Sequence, residues 1–162
     1  MKRRSLILSI LVTGFVIAIA TLIPDLATAQ ADKVKAAMAD LKARTEKLGV
    51  PKVDGKDLYF GTTKAGQSVV DAVAKDHGGA ATIFVKTGDG YVRVATTVKK
   101  DDGSSAVGTA LDATSPAVAK LNKGEAYYGD ATVFGKPYVA GYEAIKDASG
   151  AVIGAYFVGQ PK

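Results

Sequence analysis

The chain has 162 residues, with 21 lysines and arginines against 16 aspartates and glutamates, one histidine, and neither cysteine nor tryptophan. That length suits one domain, and 48% apolar residues with 23% charged ones mark a globular chain rather than a disordered one. The lack of cysteine excludes a disulfide scaffold, a thiolate metal site and a cysteine nucleophile, and a single imidazole excludes a histidine-rich metal site; the composition argues against most enzymes.

Lys2, Arg3 and Arg4 precede an uncharged run from Ser5 to Ile23, followed by Pro24 and the small-residue triplet Ala27-Thr28-Ala29. Basic segment, apolar segment, helix breaker and A-x-A site follow the order of a secretory signal. Residues 1–29 are therefore predicted to be cleaved after Ala29, leaving a periplasmic or secreted domain over 30–162. The apolar run also reaches the ~18 residues that span a bilayer; if uncleaved, it anchors the domain in the inner membrane, with the basic end inside and the remainder outside the cytoplasm. Three basic residues and Asp25 leave with residues 1–29, so 18 basic and 15 acidic residues remain, a net charge of +3 over 133 residues. These charges are interspersed, and no nucleic-acid partner is expected.

From Gln30 to Leu48, Val34, Met38, Leu41, Thr45 and Leu48 recur at three- and four-residue steps among Lys, Asp and Glu, the pattern of an amphipathic helix that Gly49 and Pro51 end. Asp57–Thr63 reads as a short strand or an extended entry to the next helix. A second helix over Gln67–Asp76 carries Val69, Val70 and Val73, and stops at Gly78-Gly79; His77 at its C-terminal end suits the helix dipole and has no evident catalytic partner.

The period then changes to two. Ala80–Lys86 and Tyr91–Val98 flank Thr87-Gly88-Asp89-Gly90 as a hairpin. Asp101-Asp102-Gly103 makes a turn, and Ser115 as N-cap, Pro116 and Gly124 frame a short helix. Three further strands, Glu125–Phe134, Lys136–Ile145 and Ala151–Val158, are separated by a turn at Gly135 and by Asp147-Ala148-Ser149-Gly150. A long helix, short helices and about five meandering strands predict an α+β domain, the long helix packed on a five-stranded antiparallel sheet. No Walker loop, dinucleotide fingerprint, nucleophile elbow or metal-ligand spacing occurs, so no cofactor or metal is expected.

The blocks DLYFGTT (57–63), VVDAV (69–73), GGAATIFVK (78–86), YVRVATTV (91–98), DDGSSAVGTALD (101–112), GEAYYGDATVFGKPYVAGYEAIKD (124–147) and GAVIGAYFVG (150–159) together resemble the Cache domain family, in its Cache 3/Cache 2 fusion type. The resemblance covers Lys56–Gly159 in family order. It implies a PAS-like extracytoplasmic sensor fold that takes a small organic ligand on behalf of chemoreceptors and sensor kinases. Thr97 stands where the family commonly has Asn, Ser105 where it has Arg, and Ala144 where it has Pro after Tyr-Glu; the first two bear on the ligand, the third on a strand end.

Strand parity places Val92, Val94, Thr96 and Val98 on one face of Tyr91–Val98, and Tyr91, Arg93, Ala95 and Thr97 on the other. The valine face is expected against the long helix, which puts Arg93 and Thr97 together on the face that the Cache resemblance makes the ligand side. In Lys136–Ile145 the same alternation groups Tyr138, Ala140, Tyr142 and Ala144. A guanidinium, a hydroxyl and two phenols around one cavity suit a carboxylate or polar amide; alternatively, Arg93 pairs with Asp130 or Glu143 and the tyrosines fill core. Thr109 and Tyr128 are expected on loops that shape the cavity.

Two functions fit these features. One is a stand-alone ligand-binding sensory module that presents its ligand state to a membrane receptor or kinase, since the sequence carries no second membrane helix or cytoplasmic region after Lys162. The other is a structural or interaction module without a ligand, contacting an envelope or receptor protein through its N-terminal helix.

Overall fold

The computed structural model describes residues 26–162. The basic start, the apolar run Ser5–Ile23 and Pro24 lie outside the described residues. Among the described residues, no helix is long and apolar enough to cross a membrane.

Helix α1 (Leu26–Glu46) begins four residues before the predicted Gln30 and ends before Leu48. Its stripe Val34, Met38, Leu41 and Thr45 is buried as the periodicity requires, whereas Leu48, past the helix end, is 36% exposed. Strands β1 (Pro51–Asp54), β2 (Asp57–Phe60) and β3 (Thr63–Lys64) form a small three-stranded sheet, of which the sequence pattern marked β2 alone. Helix α2 (Gln67–His77) follows, then β4 (Ala80–Thr87), β5 (Gly90–Thr96), α3 (Pro116–Asn122), β6 (Tyr127–Val133), β7 (Lys136–Lys146) and β8 (Val152–Pro161). The five long strands pair antiparallel in the order β5-β4-β8-β7-β6, as expected of a PAS-like domain.

The sheet has a core on each face. Helices α1 and α2 and strand β2 bury Val34, Met38, Leu41, Leu58, Phe60, Val70 and Val73 against Ala81, Ile83, Val85, Tyr156 and Val158 of the central strands. On the opposite face Phe84, Tyr91, Tyr142, Ala155 and Phe157 meet α3 and the long connection preceding it. Strands buried on both faces lose simple alternation, which is why β4 and β8 read as near-continuous apolar runs.

The parity of β5 breaks midway. Ile83 faces Ala95 and Phe84 faces Arg93, so Val94 is an extra residue on β5, a β-bulge. Val92 and Val94 pack against the helix-side core as expected. Beyond the bulge the pattern inverts: Ala95 joins the helix side and Val98 the opposite core, contrary to the valine-face expectation.

Candidate functional site

Arg93 is 5% exposed in mid-strand, on the face that meets α3. Its backbone N–H donates to the Thr109 carbonyl (3.0 Å), its carbonyl accepts from the Gly108 N–H (2.8 Å), and the Leu111 N–H donates to the Tyr91 carbonyl (2.8 Å). The loop thus satisfies the outer edge of β5 and supplies partners to the guanidinium: Nη1 donates to Thr109 Oγ1 (3.0 Å) and to the Ala110 carbonyl (2.8 Å). The guanidinium lies between two aromatic faces, 5.1 Å from the ring centre of Phe84 and 5.2 Å from that of Phe134. Its Nε is buried and has no hydrogen-bond partner. Burial lowers the Arg93 pKa from its ordinary value, but a guanidinium keeps its proton in a protein.

Neither carboxylate suggested as an ion-pair partner reaches Arg93. Asp130 pairs with Lys162 at 2.7 Å, and Glu143 pairs with Lys42 at 2.6 Å while accepting from the Tyr128 hydroxyl at 2.6 Å. Among the described residues no acidic group lies within ion-pair distance of Arg93. An unpaired buried cation with an unsatisfied donor is costly unless something meets it.

Above Arg93 opens a cleft of about 360 Å³, walled by Leu111, Asp112, Ser115, Thr132 and Phe134. A second compartment of about 400 Å³ shares Asp112, Ser115 and Thr132 and adds Asp130, Tyr138 and Lys162. Both have the size of small-molecule sites. Ser115 is fixed as the N-cap of α3, its Oγ accepting from the Ala117 N–H at 3.4 Å.

The other predicted residues fall in different places. Tyr138 lines the second compartment, edge-on to Phe157 at 6.4 Å. Tyr142 is buried beside it, 4.9 Å from Phe157; burial raises its pKa, against the opposing charge of Arg93. Tyr91 is buried on the same face, and its hydroxyl donates to Asn122 Oδ1 (3.0 Å), tying β5 to α3. Thr109 holds Arg93 and donates to the Ala106 carbonyl at 2.6 Å, so it positions the guanidinium.

Thr97 and Tyr128 do not join this group. The Val94 bulge carries Thr97 to the α2 side, where its Oγ1 accepts from the Ala81 N–H at 3.0 Å and it lines a separate depression with Gln67 and Asp71. Tyr128 pairs across the strands with Gly141, not with Tyr142, and so points to the α1 face, where it lines a groove with Lys42 and Glu143. His77 does have a partner: its Nε2 is 3.0 Å from Asp40 Oδ2, linking α2 to α1.

Phe134, Asp112 and Thr132 in the cleft, Lys162 in the second compartment and Phe84 against the guanidinium escaped the sequence reading. One signal pointed to Phe134: a bulky aromatic immediately before the turn glycine Gly135, where hairpins favour Asn or Asp.

The Cache 3/Cache 2 fusion domain family matches residues 18–162. Among solved structures the chain is similar to the sensor domain of E. coli DcuS, with 13% identity and a TM-score of 0.52 over 83% of this chain and 90% of that one. At that identity the likeness concerns the fold alone. No curated protein matches the chain.

Proposed function

The chain belongs to the Cache 3/Cache 2 fusion domain family, and from that footing we propose that it binds a small organic anion in the cleft above Arg93 and passes its ligand state to a membrane-bound receptor or kinase. Cache domains are extracytoplasmic sensory domains, and the sequence of residues 1–29 supports export with removal of that segment after Ala29, which the mass of the exported protein tests. The role is recognition rather than catalysis.

The observation that carries this reading is Arg93 itself. A buried guanidinium with no carboxylate partner and an orphan Nε, set in the floor of a cleft, supports recognition of an anion better than a structural ion pair. The aromatic faces of Phe84 and Phe134 hold its plane, and Thr109 and the Ala110 carbonyl occupy one side of it.

The test is thermal unfolding of the purified full chain and its Arg93→Ala variant against organic acids, amino acids and purines. A ligand at 100 times its Kd should stabilise the wild type by ~2.7 kcal/mol. The variant should lose that response while its ligand-free stability falls by about 1–2 kcal/mol, because no carboxylate is stranded. A full ligand response in the variant overturns the reading.

A further inference from the structure

The cleft is not uniformly positive, and this limits what it can hold. Asp112 stands on the wall common to both compartments. Its Oδ1 accepts from the Thr114 N–H (2.8 Å) and the Thr114 hydroxyl (2.7 Å), while its Oδ2 makes no hydrogen bond or ion pair among the described residues. The Thr114 hydrogen bonds hold the carboxyl below its ordinary range, so it is ionised at neutral pH. In the second compartment Asp130 and Lys162 neutralise each other at 2.7 Å. Two charges of the lining form no ion pair among the described residues: the buried guanidinium of Arg93, with its orphan Nε, and the solvent-exposed carboxylate of Asp112 on the wall.

We propose, resting on the reading of this cleft as the ligand site, that its ligand is bipolar: a small molecule with a carboxylate for Arg93 and an ammonium for Asp112, as in an α-amino acid. A lone carboxylate would satisfy Arg93 and draw nothing from Asp112, whose solvent-exposed carboxylate lines the same cleft. A dicarboxylate would bring a second negative charge towards Asp112, with no unengaged cation in the lining to receive it. A zwitterion leaves no charge in the cleft without a counterpart, and its two ends fix its orientation.

Calorimetric titration of the purified full chain decides this. The probes are the twenty amino acids, succinate, and for the tightest amino acid its two single-charge counterparts (for alanine, propionate and ethylamine). At least one amino acid should bind, and each counterpart should be weaker by about tenfold or more. Asp112→Asn keeps an Oδ1 acceptor for Thr114 but loses the charge. It should weaken the amino acid by a similar factor and leave propionate unchanged or tighter. Arg93→Gln should abolish binding of both. If propionate or succinate binds and no amino acid does, if succinate binds more tightly than any of them, or if Asp112→Asn keeps wild-type affinity for the amino acid, the bipolar assignment is overturned while the anion site stands; if none of these probes binds, both readings fall. Amino-acid binding that survives Arg93→Gln unchanged would instead remove the cleft as the site.

Discussion

The ring of Phe134 covers the guanidinium of Arg93 from a backbone conformation, φ 46°, that no other non-glycine residue among those described adopts. Phe134 and Gly135 (φ 73°) form the two-residue turn between β6 and β7, where Val133 pairs with Lys136. Two consecutive positive φ values match the twist of a hairpin, but a bulky L-residue there costs about 1–2 kcal/mol. A cation–π contact with a desolvated guanidinium returns about 0.5–2 kcal/mol. The contact with Arg93 thus offsets the strain that the turn imposes on Phe134.

This trade separates two substitutions at Phe134. Phe134→Ala removes the ring and keeps most of the strain, so the domain should lose about 1–2 kcal/mol. Phe134→Asn removes the ring and relieves the strain, and should be more stable than the alanine variant by about 1 kcal/mol. Urea unfolding of both variants measures the difference. Equal stabilities would show that the left-handed turn carries no appreciable cost.

Much of this arrangement can be read in the sequence, because local signals set it. Thr87-Gly88-Asp89-Gly90 marks the β4–β5 hairpin, and Ser115-Pro116 starts α3 where expected. Arg93 stands out as a charge in mid-strand. What could not be read depends on pairing between distant segments. YVRVATTV alternates without a break, so nothing in it announces the bulge at Val94, which Ile83 and Phe84 reveal only as partners. Likewise Tyr127 and Tyr128 are adjacent in sequence, and the register of β6 on β7 alone sends Tyr127 to the face of Tyr142 and Tyr128 to that of Gly141. Gly141 in turn admits the Tyr128 ring and Val34, since a Cβ there would lie 2.6 Å from one and 3.0 Å from the other. Asp112 falls in a segment without periodicity, and the charges left unpaired around it emerge only after every other ion pair has formed.

A second prediction concerns Thr45 and Tyr156, whose hydroxyls meet at 2.7 Å inside the core between α1 and β8. Thr45 Oγ1 also lies 2.9 Å from the Lys42 carbonyl and 3.1 Å from that of Leu41, so its proton goes to the backbone and Tyr156 donates to it. Burial raises the Tyr156 pKa to about 12, which keeps the phenol protonated for this role. Tyr156→Phe removes one donor whose partner stays satisfied, and should cost about 1 kcal/mol. Thr45→Ala strands the buried phenol and should cost more, about 2–3 kcal/mol. Chemical unfolding of the two variants checks the order, and a reversal would mean that Tyr156 finds another acceptor.

The last prediction concerns Glu143, which joins β7 to α1. Its carboxylate accepts from Lys42 Nζ and from the Tyr128 hydroxyl, each at 2.6 Å. Burial pushes its pKa up, but the hydrogen bonds from Lys42 and Tyr128 outweigh burial and hold it below the ordinary 4.5. A depressed pKa in the folded state means that the contribution is fully present above the unfolded value and is lost as pH falls through the folded one. With its side chain 24% exposed, the pair should contribute only about 1 kcal/mol at neutral pH. Glu143→Gln keeps an acceptor for Tyr128 and removes the charge facing Lys42. It should therefore be less stable than the wild type by about 1 kcal/mol at pH 7, with the gap unchanged down to about pH 4.5 and closing below it. Added salt should narrow the gap at pH 7 as well. Urea midpoints of both proteins across this range supply the measurement; a gap that persists undiminished in acid would show that the side chain acts by packing and not by charge.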